Sequence, residues 1–261
     1  MDGVEEERVV IAAHQTMMGP QDGPSSLDYV QDGLYYQLDG IENAGRGVHD
    51  ATASTWTDLT GNGRDGIFVN ASSGFAWSAD SLYVYGVTYD NMVTVKALPS
   101  LKSFTFEIVF RGDNYEAYGR VWDTEGHKTR SDRFCCLIYS GSTGTHPSIQ
   151  IVTDSDANFS NLPNLYNMAD PINLSVRPSV SGNYVRGPIA YVNGGAISQT
   201  VLQGNLSPNS NTADFDIGNR SNNPNRGLNM AVFAIRVYNR ILTDAEIAAN
   251  YAIDKARFNL P

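Results

Sequence analysis

Residues 103–110 read Ser-Phe-Thr-Phe-Glu-Ile-Val-Phe, and Phe104, Phe106, Ile108 and Phe110 fall at every second position. A period of two marks a strand with one apolar face, and it leaves Thr105, Glu107 and Val109 on the other face, toward solvent or a groove. A chain with such a strand must supply a second layer to cover the aromatic side. The other apolar segments are equally short: 34–38, 67–69, 81–85, 92–95, 120–122, 134–139, 148–153, 172–176, 188–192, 196–202, 215–218 and 230–238. Turn formers separate them, among them Ser140-Gly141, Ser181-Gly182-Asn183 and Asn193-Gly194-Gly195. No strand–helix alternation runs through the chain, so the expected class is all-β, with antiparallel sheets packed face to face.

The last strand, 230–238, alternates Ala231, Phe233, Ile235 and Val237 against Ala234, Arg236 and Tyr238. A helix follows it. Thr243 and Glu246 have the spacing of a capping box, and Ile247, Ala248, Tyr251, Ala252 and Ala256 are expected to form the stripe that packs on the sandwich.

Length fits one domain over 31–261, preceded by a polar stretch, 1–30, broken by Gly19-Pro20 and Gly23-Pro24. That stretch reads as an arm or linker that a partner orders, or as a frayed terminus. Its start, Met1-Asp2-Gly3-Val4-Glu5-Glu6-Glu7-Arg8, is acidic where a secretory signal is basic, and the apolar run 9–13 is too short for a signal core or a membrane span. The expectation is a chain without a signal peptide or membrane span.

A net charge of -10 argues against nucleic-acid binding through phosphates, which needs clustered Lys and Arg. Cys135 and Cys136 are adjacent, so on a strand they point to opposite faces and are expected as two buried thiols. His14, His49, His127 and His146 show no metal-site spacing and are expected on loops or the surface.

Residues 56–66, Trp-Thr-Asp-Leu-Thr-Gly-Asn-Gly-Arg-Asp-Gly, place three glycines among oxygen-bearing side chains. Such a loop needs positive φ or close backbone approach at its glycines. Asp58, Asn62 and Asp65, with Asp39 or Glu42, have the oxygen chemistry of a structural calcium site. The alternative is that the same oxygens brace the loop backbone.

That loop, paired with Phe233-Ala234-Ile235-Arg236-Val237-Tyr238-Asn239-Arg240-Ile241-Leu242-Thr243-Asp244-Ala245-Glu246-Ile247 near the end, resembles the laminin-G-like group of the concanavalin A-like lectin/glucanase superfamily. Phe215-Asp216-Ile217-Gly218-Asn219 sits where that group carries its penultimate core strand, and the resemblance covers about residues 34–258. It implies a jelly-roll sandwich of two antiparallel sheets, in most members a non-catalytic module for glycan binding, protein binding or adhesion. Asp39-Gly40-Ile41-Glu42-Asn43 and the stretch from Asn250-Tyr251 to Phe258 are similar to copies in bacteriophage and prophage structural proteins and in gut-bacterial surface proteins.

Glucanases of the superfamily carry a Glu-x-Asp-x-Glu strand. Here Asp214-Phe215-Asp216 lacks the third carboxylate, and Glu107 has only Thr105 and Val109 beside it, so no catalytic residues are assigned. A glycan site needs aromatics beside polar partners, for which Trp122, Tyr115, Tyr118, Tyr166 and Tyr184, with Glu107, are the candidates; Trp56 and Trp77 are assigned to the core. The expected function is a non-catalytic binding or assembly module on a virion surface, as capsid decoration or fibre, with glycan adhesion. Its partners are then glycans or virion proteins. Two alternatives stand beside it: a carbohydrate-binding domain of an extracellular bacterial surface protein, and a glycoside hydrolase.

Overall fold

The computed structural model describes residues 16–17, 23–70, 74–89, 91–96, 103–113, 119–124, 134–139, 148–153, 159–162, 170–181, 184–197, 200–201 and 214–261. Its strands in the first half are β1 Thr16–Met17, β2 Leu34–Asp39, β3 Val48–His49, β4 Thr55–Trp56, β5 Gly66–Val69, β6 Phe75–Trp77, β7 Leu82–Tyr85, β8 Met92–Val95 and β9 Thr105–Gly112. Those of the second half are β10 Arg120–Asp123, β11 Phe134–Tyr139, β12 Ser148–Thr153, β13 Phe159–Leu162, β14 Ile172–Ser181, β15 Tyr184–Val192, β16 Gly195–Ala196, β17 Thr200–Val201, β18 Phe215–Ile217 and β19 Asn229–Tyr238. One long helix, Asp244–Phe258, closes the chain.

The strands form the expected antiparallel sandwich. One sheet has nine strands in the order β17-β13-β12-β11-β10-β18-β8-β5-β4, and the other eight in the order β16-β15-β14-β9-β19-β7-β6, with β2 also paired to β19. β19 runs along β9 on one side, while β7 and then β2 share its other side. Between the sheets lies one apolar core. Phe104, Phe106, Ile108 and Phe110 enter it from one sheet, and Val93, Val95, Trp122, Phe134, Phe215 and Ile217 from the other.

On β19 the expected alternation breaks. A bulge between Val232 and Ala234 inserts a residue, so Val232, Ile235 and Val237 face the inter-sheet core while Ala231, Phe233 and Ala234 face the outer side. Strict alternation had put Ala231 and Phe233 with Ile235 and Val237, an error of one residue that flips the faces.

The capping box forms as the spacing predicts, with the Thr243 side chain accepting from Glu246 N and the Glu246 carboxylate accepting from Thr243 N. The buried side of the helix matches the expected stripe only at Ile247, with Tyr251 packing partly on the Phe233 and Phe258 cluster. Ile247, Asn250, Asp254 and Phe258 are buried, whereas Ala248, Ala252 and Ala256 are exposed. Charged partners on the sheet select the Asn250 and Asp254 face over the alanine face.

The segment before residue 31 makes contacts with the helix. Tyr29 is 1% exposed, and its hydroxyl donates to Asp254 at 2.7 Å; Val30 N donates to Asn250 at 3.0 Å, and Arg257 donates to the Pro24 carbonyl at 3.1 Å. Residues 24–30 therefore pack on the sandwich, and β1 pairs with β3, Thr16 opposite His49 and Met17 opposite Val48, in a separate two-stranded ladder. Among the described residues, no helix is long and apolar enough to cross a membrane.

Candidate functional site

The loop at 56–66 folds on itself. Gly61 and Gly63 take φ of +76° and +68°, and a Cβ on Gly66 would lie 2.9 Å from Val93, so each glycine answers one of the two expected demands. The Asp58 carboxylate accepts from Gln37 N, Thr60 N, Thr60 Oγ1 and Arg64 N, and Asp65 accepts from Asp58 N. Asn62 donates to Tyr35 O and to Thr60 Oγ1. The structure thus gathers Asp58, Asn62 and Asp65, but their bonds run to the loop and to β2. Asp39 does not join them: it lies buried on the other side of β2, accepts from Ile41 N and Glu42 N, and pairs with Arg257 at 2.8 Å. The cationic partner of Asp39 is the Arg257 guanidinium. Among the described residues, no group of three His, Cys, Asp or Glu side chains is placed to hold a metal ion.

Of the glycan candidates, Trp122 and Glu107 are both fully buried, which removes them from any ligand surface. An irregularity between Arg120 and Trp122 sits beside the indole, which lies in the core with its ring centroid 4.4 Å from Phe106. Tyr115, Tyr118 and Tyr166 lie outside the described residues, as does the side chain of Tyr184. Trp56 is in the core as expected, and Trp77 packs at its edge, 5.3 Å from Trp56.

Glu107 instead belongs to a buried polar network beneath the helix. Its Oε2 accepts from Arg236 Nε and Asn250 Nδ2, both at 2.9 Å, and its Oε1 accepts from Ser175 Oγ at 3.2 Å. Arg236 reaches on to Asp254 through two bonds of 2.9 and 2.5 Å, and Asp254 accepts from Tyr29 and from Asn173 as well. The guanidinium lies 4.0 Å from the Tyr29 ring centre. Burial pushes the Glu107 carboxyl above its ordinary range, with Arg236 opposing. Burial alone would lower the Arg236 pKa, but Asp254, Tyr29 and Glu107 outweigh it and keep the group charged. With every member paired, this arrangement is a lock between the N-terminal segment, the sheet and the helix.

The outer face of the nine-stranded sheet carries a cross-strand row. Register places Thr55 opposite Ile67, Ile67 opposite Thr94, Thr94 opposite Asp216, and Asp216 opposite Asp123. Thr55 and Ile67 are exposed, but Asp216 and Asp123 are sealed. Asp216 accepts from Thr94 Oγ1 at 2.8 Å and from Ser221 N at 2.9 Å, and Asp123 pairs with Arg120.

Beyond the helix the outer face of the eight-stranded sheet carries a pair of aromatic residues. There Tyr83 and Tyr85, half-buried, point outward from β7 while Leu82 and Val84 point into the core. Their ring centres are 4.4 Å apart, inclined at 57°. Arg111 and Asp113 pair at 3.2 Å beside them, with side chains 37% and 33% exposed. Partial burial, and then the nearby Asp113 carboxylate, raise the Tyr83 pKa, so the phenol stays protonated. Sequence reasoning read 81–85 as a strand without using its outward tyrosines, although their spacing of two carried the signal.

No protein-family model matches the chain, and no curated protein matches it by sequence. Solved structures do. Domain 4 of AbnA, a GH43 extracellular arabinanase from Geobacillus stearothermophilus determined in complex with arabinotriose, has TM-score 0.57 and 12% identity over 84% of this chain and 98% of its own. The Trypanosoma rangeli sialidase, in complex with 2,3-difluorosialic acid, has TM-score 0.59 and 15% identity over 96% of this chain and 38% of its own. The binding domain of botulinum neurotoxin serotype D/C has TM-score 0.54 and 12% identity over 84% of this chain and 52% of its own. The chain spans one of these nearly whole and well under two thirds of the other two. At such identities the likeness is one of fold, that of β-sandwich domains.

Proposed function

We propose that this protein is a non-catalytic binding module whose ligand is a glycan, carried as a virion surface or fibre component with the residues before Gly23 as its docking arm. The observation that supports the non-catalytic part is the fate of three carboxylates on the outer sheet faces among the described residues. A retaining glycosidase needs two carboxyl groups about 5 Å apart that can reach a substrate. Glu107, Asp216 and Asp123 are all buried, and each is held by a named partner. Acids spent on holding strands together are poor candidates for proton transfer to a sugar.

The fold neighbours support the glycan part by analogy, since one was captured with arabinotriose. The phage setting rests on the resemblance at 39–43 and 250–258. A glycan array probed with the whole chain, alongside a reducing-sugar assay on arabinan and β-glucans, tests the reading. Binding to at least one glycan without sugar release is expected. Sugar release, or an array with no binding at millimolar glycan, would overturn it.

A further inference from the structure

We infer that Asn62 is a modification site: its side-chain amide is lost without an enzyme, through attack by the Gly63 nitrogen, leaving a mixture of aspartate and isoaspartate at that position. Asparagine is among the thermolabile residues, and a glycine after it leaves the attacking nitrogen unhindered. The sequence holds two such pairs, Asn62-Gly63 and Asn193-Gly194. The fold treats them differently.

Asn62 and Gly63 are exposed in the loop that follows Trp56. Among the described residues Gly63 N has no acceptor, and a Cβ built on Gly63 would meet nothing within 4 Å. The nucleophile is therefore available, and there is space for the ring it forms. Asn62 Nδ2 donates to Tyr35 O at 3.2 Å and to Thr60 Oγ1 at 2.9 Å, both at the surface, where water can replace them. Asn193, by contrast, is half-buried in the tight turn between β15 and β16. Its Oδ1 accepts from Asn173 N and its own N donates to Asn173 O, both at 3.0 Å, while Gly194 lies against the Tyr251 ring. Swinging that side chain onto Gly194 N breaks the bond to Asn173, so Asn193 reacts only when the hairpin opens locally.

In the reaction Gly63 N gives up its proton and bonds to Asn62 Cγ, and the Cγ–Nδ2 bond breaks to release ammonia. Water then opens the succinimide at either carbonyl. Cleaving the new bond gives aspartate; cleaving the original peptide bond gives isoaspartate, whose main chain runs through the former side chain. The aspartate product gains a partner, because Arg64 Nη1 donates to the same Tyr35 O and its guanidinium lies 3.8 Å from the Tyr35 ring centre. Isoaspartate is the disruptive product. The Asp58 carboxylate bridges Thr60 N and Arg64 N, closing residues 60–64 into a ring, and isoaspartate adds one carbon to the chain inside it.

Incubation of the full chain at pH 8.5 and 37 °C tests this, with peptide mapping by mass spectrometry that separates aspartate from isoaspartate. In the native protein Asn62 is expected to convert about tenfold faster than Asn193, which waits for local opening. In concentrated urea, where both are Asn-Gly pairs in an open chain, the two rates should agree within about twofold. A native gap of threefold or more that closes in urea supports the assignment. An unreacted Asn62, a smaller native gap, a faster Asn193, or a gap that persists in urea overturns it.

Discussion

The outer face of the eight-stranded sheet has two halves built from the same strands, and they do opposite things with polar chemistry. Under the C-terminal helix, β9 and β19 present Glu107 and Arg236, both sealed from solvent and paired with Asp254, Asn250 and Tyr29. One bulge away, the same two strands present Arg111 and Asn229 beside Tyr83 and Tyr85, within reach of solvent. In the sealed half an unpaired charge would be expensive, so every charged group is answered by another. In the other half Arg111 and Asp113 pair with side chains 37% and 33% exposed, where water screens them, and Tyr83 and Tyr85 are half-buried. Charge density alone is thus a poor guide to a binding site in this fold; what covers the charge decides its role.

The largest test of that division is Arg236. Replacing it with Met leaves Glu107 and Asp254 buried with their shared counter-ion gone, and the expected cost is about 3–5 kcal/mol. Chemical denaturation should show it as a large fall in midpoint, with sugar binding by the remaining folded fraction unchanged. The comparison breaks if Arg236→Met folds as well as wild type but loses ligand, because the sealed half would then be the site. Glu107→Leu with Arg236→Met and Asp254→Leu should recover much of the loss.

Next in size is the N-terminal segment. Removing residues 1–22 takes away only the two-residue β1–β3 ladder, so it should lower the melting temperature slightly and abolish incorporation into the parent assembly, as expected of a docking arm. Removing 1–30 also deletes Tyr29, which covers Arg236, and should cost about 3 kcal/mol, on the order of 10 °C. Equal melting temperatures for the two truncated chains would place 23–30 outside the lock.

The fold was legible because it depends on patterns a single sequence displays. The alternation of Phe104 to Phe110, the capping box at Thr243 and Glu246, and the glycine-rich loop after Trp56 are all local, and all three formed as read. The sealed half was not legible because its logic is non-local: Asn250 and Asp254 face inward only because Glu107 and Arg236, about 18 to 143 residues away, are there to receive them. A helix read by itself buries its alanines. Trp122 and Glu107 failed as ligand contacts for the same reason, since only the tertiary structure shows that a core and a helix cover them. The other half was partly legible. The Leu82-Tyr83-Val84-Tyr85 alternation gave the face, but the Arg111 and Asp113 pair comes from a strand two places away in the sheet.

The smallest expected effect separates the two kinds of carboxylate by pH. Glu246 lies at the exposed end of the helix, where bonds from Arg240 and from the Thr243 cap hold its pKa down to about 2 against an ordinary 4.5. Because the folded state depresses that value, its contribution is present above pH 4.5 and is lost as pH falls toward 2. Glu107 runs the other way: burial raises its pKa, so the folded state favours the proton, and its contribution is fullest at low pH and fades as pH rises through the folded value. Glu246→Gln should lower the melting temperature at pH 7 by about 3 °C, the worth of a capping-box contact of about 1 kcal/mol. The gap from wild type should close as both proteins are taken from pH 4.5 to pH 2. Glu107→Gln lacks that titration, so its stability relative to wild type should rise as pH increases from 4.5 toward the folded value, whatever its starting level. A Glu246→Gln gap that persisted undiminished at pH 2 would mean that the helix end draws nothing from the charge of Glu246. The contrast between solvated and sealed carboxylates would then rest on Glu107 alone.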